Sequence, residues 1–110
     1  MTAGRDKVLS TLSMAMKAGR LVSGETAVMN AVRSMTAALV IIAGDASDGT
    51  KKKFTDKCSF YEVPCRTYGT KDLLAHSIGK EMRSVIALTD EGFAGSIIQR
   101  LEEADIYGKQ

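Results

Sequence analysis

The sequence contains few of the residues that mark special classes of protein. Among its 110 residues are two cysteines, one histidine, one proline and no tryptophan. Six residues separate Cys58 from Cys65, which is not the spacing of a zinc site, and two cysteines do not make a disulfide scaffold. We therefore expect two reduced, mostly buried thiols, no metal site and no cofactor.

Long apolar runs are also absent. The longest, residues 37–43, is far too short to cross a membrane. No charged start followed by an apolar stretch marks a signal peptide. The hydrophobic fraction of 45% and the charged fraction of 25% are ordinary for a globular protein. We expect a cytoplasmic, monomeric protein with a single domain over residues 1–110, and no membrane partner.

Neither sign of charge dominates the chain, whose net charge is +2. Residues 1–89 carry thirteen Lys/Arg and eight Asp/Glu, whereas residues 90–110 carry two and five. The basic excess in the body of the domain permits an anionic partner such as RNA but does not demand one.

Apolar residues at helical spacing predict five helices, and single polar residues mark where several of them begin. Ser23, Thr70 and Asp90 are predicted N-caps, and Gly19 is the predicted stop of the first helix. The predicted spans are 6–18, 24–34, about 47–61, 70–79 and from 90 onwards.

Three segments read as strands. Ala38–Ala43 and Ser84–Leu88 are apolar on both faces, as strands in the middle of a sheet are. Pro64–Tyr68 is predicted at an edge because proline cannot donate to a strand ladder. The alternation of helices and strands predicts an α/β fold with helices on both sides of the sheet.

The segment Gly44–Lys51 follows a buried strand and precedes a helix, which is the context of a phosphate-binding loop. Such a loop ends in Gly-Lys-Ser/Thr, whereas this one ends in Gly49-Thr50-Lys51. The exchange rotates each side chain by about 100° around the helix. We interpret the segment as the polar start of a helix. If this segment were instead a phosphate-binding loop, the protein would be a nucleotide-binding enzyme. Mg-ATP would then raise its melting temperature in a thermal-shift experiment.

Other catalytic signals are weak. His76 has no serine, cysteine or carboxylate at a spacing that would make a triad. The densest basic run is Lys51-Lys52-Lys53, whose members point in different directions around a helix. Lys52 is placed to pair with Asp56, and Lys53 shares a face with Lys57.

The second predicted helix has a clear division of faces. Thr26, Asn30 and Arg33 lie together on one side, opposite an apolar stripe. The stripe consists of Val28, Ala31, Val32 and Met35. The helix starts with Ser23-Gly24-Glu25, and a helix start with glycine exposes backbone N–H groups that a phosphate can approach closely.

Taken together, these segments resemble the ribosomal protein L7Ae family, small α/β/α-sandwich proteins that bind kink-turn RNA. The resemblance covers about Lys7 to Ala104 and is closest to the short bacterial members. It is carried by four stretches: Gly24–Arg33, Leu39–Ala46, Leu74–Gly79 and Ser84–Leu88. It implies a three-layer α/β/α sandwich around a mixed four-stranded sheet, no enzymatic activity, and an RNA partner in a ribosome or another ribonucleoprotein.

The resemblance also implies which residues contact RNA. The start of the second helix docks against tandem sheared G·A pairs, and the loop Gly79–Ser84 covers flipped-out nucleotides. The implied contacts are Gly24, Glu25, Thr26, Ala27, Asn30, Arg33, Lys80 and Arg83. Recognition of this kind reads RNA shape and exposed bases, with basic side chains on phosphates.

Three positions depart from the strong binders of the family. Thr26 and Ala27 stand where those proteins have Asn-Glu, and Asn30 stands where they have lysine. The altered surface and the acidic C-terminal segment support an alternative function, a protein-interaction module on the same fold with weak or lost RNA binding.

Overall fold

The structure is a computed structural model that describes the backbone of residues 6–108 and the side chains of residues 6–103. In this part of the chain, five helices surround a four-stranded sheet, which confirms the predicted α/β fold. The helices are α1 (Lys7–Lys17), α2 (Glu25–Arg33), α3 (Asp48–Tyr61), α4 (Lys71–Ser77) and α5 (Glu91–Gly108); the strands are β1 (Leu21–Ser23), β2 (Leu39–Ile42), β3 (Cys65–Thr67) and β4 (Val85–Leu88).

The sheet has the strand order β1-β4-β2-β3 and is mixed. Strand β4 pairs antiparallel with both β1 and β2, and β3 runs parallel to β2. Every residue of β2 and β4 is buried, so the two strands predicted for the middle of the sheet are there. Strand β3 lies at the edge, as predicted, and the Pro64 carbonyl before it accepts the N–H of Val40 at 2.9 Å.

Strand β1 is the element that periodicity does not reveal. It is three residues long and pairs Leu21 with Leu88 and Ser23 with Ile86. The prediction that Ser23 caps the second helix is therefore wrong, because Ser23 belongs to the strand and Gly24 holds the N-cap position. Side chains alternate along a strand with a period of two residues, so three residues are too few to show a pattern, and the pairing of β1 with β4 decides the structure.

The predicted caps Thr70 and Asp90 are confirmed, and Ser47, which lies at the predicted start of the third helix, is a third cap. Ser47, Thr70 and Asp90 each accept a backbone N–H three residues ahead, at 3.1, 3.1 and 2.9 Å. Helix α1 ends before Gly19, whose φ of +72° turns the chain toward β1. Such caps satisfy backbone groups that a helix end leaves without partners.

The helices form two groups around the sheet. Helix α1 packs against α4 and α5, and α2 packs against α3. This is the predicted three-layer arrangement. Its largest fully buried side chains come from both groups and from the sheet, and include Leu12, Val28, Ile41, Phe54, Leu74, Ile86 and Ile97.

The two cysteines are free thiols, with Cys58 buried and Cys65 half-buried. The neighbouring Cys65 thiol and burial both raise the pKa of the Cys58 thiol above its usual value. No described helix combines the length and the apolar character that a membrane span requires.

Candidate nucleic-acid interface

The start of α2 is open. Gly24 adopts φ 92° and ψ 154°, a backbone conformation that is essentially restricted to glycine, and no described side chain caps the helix. A Cβ atom placed on Gly24 would meet nothing within 4 Å. The start of α2 thus has no side-chain cap and open space around Gly24, and the positive end of a helix favours an anion.

The exposed face of α2 is the one that the sequence predicts. Thr26, Asn30 and Arg33 are exposed, and Val28, Ala31 and Val32 are buried. Ala27 is half-buried beside Thr26. A polar, hydrogen-bonding surface thus leads away from the open helix start.

Met35 does not belong to the buried stripe of α2, so that part of the prediction is wrong. The helix ends at Arg33, and Met35 has φ +64° with its side chain 70% exposed. The left-handed residue turns the chain toward β2 and takes the Met35 side chain out of the helical repeat.

Glu25 is held by α3. Its Oε1 atom lies 2.6 Å from Nζ of Lys53, and its Oε2 atom accepts a hydrogen bond from Oγ1 of Thr50 at 3.1 Å. The Lys53 hydrogen bond is the main influence that lowers the pKa of Glu25; Thr50 adds to it and slight burial opposes it. An open groove of about 360 Å³ lies here between the two helices, lined by Glu25, Thr26, Met29, Asn30, Arg33 and Lys53.

The loop before β4 lies beside the start of α2 because β1 and β4 are paired. The N–H of Gly24 donates to the carbonyl of Val85 at 3.0 Å, and Nε of Arg83 donates to Oγ of Ser23 at 3.0 Å. The residues predicted at 24–33 and at 79–84, far apart in sequence, therefore flank one another in space. The sequence predicts Ser23 only as a helix cap, whereas the structure shows that it forms part of this junction.

Arg83 also shapes the loop to which it belongs. Its Nη1 atom donates to the carbonyls of Glu81 and Met82. Met82 has φ +40° and is 56% exposed, and Lys80 is exposed near it. The loop thus presents the cation of Lys80 and the apolar side chain of Met82 to solvent. The predicted RNA contacts include Lys80 but not Met82.

The segment Gly44–Lys51 is a structural connection. Oδ1 of Asp45 accepts the backbone N–H of Lys71 at 2.8 Å, at the start of α4. The N–H of Gly44 donates to the carbonyl of Gly69 at 2.7 Å, and a Cβ on Gly44 would lie 3.0 Å from that oxygen. The segment thus ties the end of β2 to the start of α4 and leads into the capped start of α3.

The predicted basic helix α3 has the expected pairing. Nζ of Lys52 lies 3.1 Å from Oδ2 of Asp56, one turn along the helix, and both side chains are well exposed. Within residues 6–103, no three His, Cys, Asp or Glu side chains converge as metal ligands would.

Comparisons with known proteins agree with one another. The model of the ribosomal protein L7Ae/L30e/S12e/Gadd45 family matches residues 6–98. The RNA-binding protein YlxQ of Bacillus subtilis (strain 168) is 45% identical over 91 residues, which are 83% of this chain and 91% of that protein. The RNA-binding protein YlxQ of Enterococcus faecium is 39% identical over 98 residues, 89% of this chain and 94% of that protein.

Solved structures agree with the fold. A protein of unknown function from Bacillus halodurans C superposes with a TM-score of 0.85 at 38% identity, covering 88% of this chain and 98% of its own. The 15.5kD RNA binding protein of Giardia lamblia superposes with a TM-score of 0.73. Its identity is 22%, over 86% of this chain and 84% of its own, so it supports the fold alone.

Proposed function

The chain belongs to the ribosomal protein L7Ae/L30e/S12e/Gadd45 family, a non-enzymatic family, and we propose that it binds structured RNA. Membership confirms the prediction that the chain is not an enzyme. One observation carries the proposal for RNA: the open start of α2 and the loop at 79–84 are neighbours, in a chain 45% identical to a protein named for RNA binding.

The proposed target is a kink-turn or a similarly bent RNA. Gly24 lets the sugar-phosphate backbone approach the start of α2, where free N–H groups face it. Thr26 and Asn30 are exposed hydrogen-bonding groups for base edges, Ala27 lies beside them, and Arg33 supplies a cation to a phosphate. A bent RNA opens the groove that such a helix start enters, because regular RNA keeps its major groove too narrow for side chains.

The loop at 79–84 supplies the second contact. Lys80 is an exposed cation for the phosphate backbone, and Met82 is an exposed apolar surface against which an unstacked base can lie. The described hydrogen bonds of Arg83 use Nε and Nη1, which leaves Nη2 to donate to a phosphate. Glu25 lies at the edge of this surface with its carboxylate held by α3.

The test is binding of a standard kink-turn RNA against the same RNA with its G·A pairs replaced by Watson–Crick pairs. The two RNAs have the same length and charge, so any difference reports shape. We expect tighter binding of the kink-turn. Equal binding would remove shape recognition from the proposal, and absence of binding to both would overturn RNA binding by these elements.

We also propose that the protein resides in a ribonucleoprotein, as its ribosomal family suggests. Sedimentation of a cell extract through a sucrose gradient, with and without ribonuclease, tests this. Comigration with ribosomal or smaller RNA-containing particles that ribonuclease abolishes is expected. Sedimentation at the position of the free protein in both gradients would contradict it.

A protein-interaction module is the second candidate, and a groove between α1 and α4 that exposes two large apolar side chains favours it. Met14 and Leu73 in this groove are 54% and 40% exposed, and the groove has a volume of about 400 Å³. A module of this kind would show no salt-dependent association with any structured RNA. The same binding experiment therefore separates the two candidates.

A further inference from the structure

A carboxylate stands in the first turn of α2, at the helix end that the proposed function assigns to an RNA phosphate. Glu25 directly follows Gly24. An unpaired carboxylate there would repel the phosphate backbone, because like charges brought together at an interface oppose association. The contacts of the Glu25 carboxylate therefore influence whether RNA can bind at this helix start.

Both oxygens of Glu25 accept hydrogen bonds from side chains of α3. Lys53 contacts Oε1 at 2.6 Å, and Thr50 donates to Oε2 at 3.1 Å. Thr50 is itself fixed, since it accepts a hydrogen bond from the Ser47 hydroxyl at 3.0 Å. The ammonium group of Lys53 also lies 5.5 Å from the centre of the Phe54 ring, which is fully buried. The segment 47–53 thus forms a receptor for one carboxylate from a different helix.

We propose that Lys53 is a positioning residue for RNA binding: its ion pair with Glu25 neutralises that carboxylate and holds it against α3, so that the start of α2 can accept an RNA phosphate. The proposal rests on the proposed function. It gives the basic segment of α3 a role that the predicted contact surface does not include.

The neighbouring lysine provides a matched control. Lys52 carries the same charge on a more exposed side chain, 80% against 50% for Lys53, and it forms an ion pair, at 3.1 Å, with Asp56 of its own helix. Lys52→Ala and Lys53→Ala therefore remove the same charge from adjacent positions of α3. Only the second leaves Glu25 without its cation.

The experiment is a double-mutant cycle on affinity for the kink-turn RNA, measured by fluorescence anisotropy. Lys53→Ala is expected to weaken binding about tenfold, and Lys52→Ala less than about threefold. In a Glu25→Gln background, adding Lys53→Ala should cost less than about threefold, because no carboxylate remains to be neutralised. Lys53→Arg keeps the cation and should bind like the unaltered protein.

Each other result has a definite meaning. If Lys53→Ala costs the same in both backgrounds and lowers the salt slope by about one, Lys53 contacts a phosphate directly and the positioning role is wrong. If Lys53→Ala and Lys52→Ala bind alike, Lys53 has no special role. If the unaltered protein binds no RNA, the proposed function fails and this inference fails with it. Circular dichroism of each variant verifies that it is folded.

Discussion

At the scale of single residues, Gly24 contributes both a backbone conformation and open space at the start of α2. Two substitutions of Gly24 separate these contributions. Its φ of 92° and ψ of 154° form a backbone conformation that residues with a Cβ atom rarely adopt. The space that such a Cβ atom would occupy is nevertheless empty. Alanine at this position therefore meets no atom in the free protein but pays a backbone penalty of about 1–3 kcal/mol. Only a bound molecule would contact the new side chain.

Gly24→Ala and Gly24→Asp are expected to lower the free energy of unfolding by about the same amount, 1–3 kcal/mol. They should differ in RNA binding. Alanine weakens it, and aspartate abolishes it by placing negative charge at the closest approach. Urea unfolding and RNA affinity, measured on both variants, check this. Tight binding by a folded Gly24→Asp variant would remove the start of α2 from the interface.

Lys80 is expected to act as a phosphate contact, because it is an exposed cation on the loop beside α2. Lys80→Ala should weaken binding of the kink-turn and of the control RNA by the same factor. It should also reduce the slope of log K against log salt by about 0.7–0.9. Lys17→Ala, which removes an exposed lysine from the end of α1, is the control. A slope unchanged by Lys80→Ala would show that Lys80 contacts no phosphate.

The ion pair between Lys53 and Glu25 predicts a small dependence of stability on pH. Lys53 lowers the pKa of Glu25 in the folded protein, so the pair stabilises the fold above the unfolded pKa of about 4.3. That contribution is lost as the pH falls through the folded pKa. Both side chains are about half exposed, which limits the effect to about 0.2–1 kcal/mol. A double-mutant cycle on unfolding should detect coupling at pH 7 that becomes smaller at pH 3; equal coupling at both would contradict it.

At the scale of elements, the interface depends on β1, a strand of only three residues. Its pairing with β4 brings Gly24 to Val85 and Ser23 to Arg83. The loop and the helix start therefore form one surface only while this strand stays in register. Arg83 is the side chain that links the two, since it bonds to β1 and to two carbonyls of its own loop.

Arg83→Ala is expected to weaken RNA binding about tenfold, because it releases the loop from α2. Arg83→Lys should not restore the binding, because lysine lacks the planar guanidinium that bonds to several acceptors at once. Arg66→Ala is the matched control, since Arg66 lies on β3 at the opposite edge of the sheet. Hydrogen exchange of residues 79–84 should become faster in Arg83→Ala but not in Arg66→Ala. Unchanged exchange would show that Arg83 does not hold the loop.

Local signals predict most of the elements but not their junctions. Strands β2 and β4 are apolar on both faces, and Ser47, Thr70 and Asp90 mark helix starts, so sequence alone places them. Strand β1 has no such signal, and the apolar stripe of α2 does not reveal that Met35 has a left-handed backbone and leaves the stripe. The bond between Lys53 and Glu25 joins residues 28 positions apart, and no helical or strand spacing reports such a contact.

At the scale of the whole molecule, the charge is too small to hold RNA by electrostatics alone. The net charge is +2, and the basic excess of residues 1–89 is partly offset by the acidic C-terminal segment. Strong non-specific binders neutralise many phosphates, whereas the proposed surface offers three cations, Arg33, Lys80 and Arg83. Discrimination between RNAs must therefore come from shape and base contacts.

This balance predicts how salt acts on affinity and on specificity. With about three phosphate contacts, the slope of log K against log salt is about −2 to −3, so raising salt from about 50 to 200 mM weakens binding roughly 20- to 60-fold. The kink-turn and its G·A-replaced control share their backbone charge, so both should weaken alike and their affinity ratio should stay constant. Filter binding of both RNAs at the two salt concentrations measures the ratio. A ratio that falls toward one at high salt would mean that the preference arises from phosphate density rather than from shape.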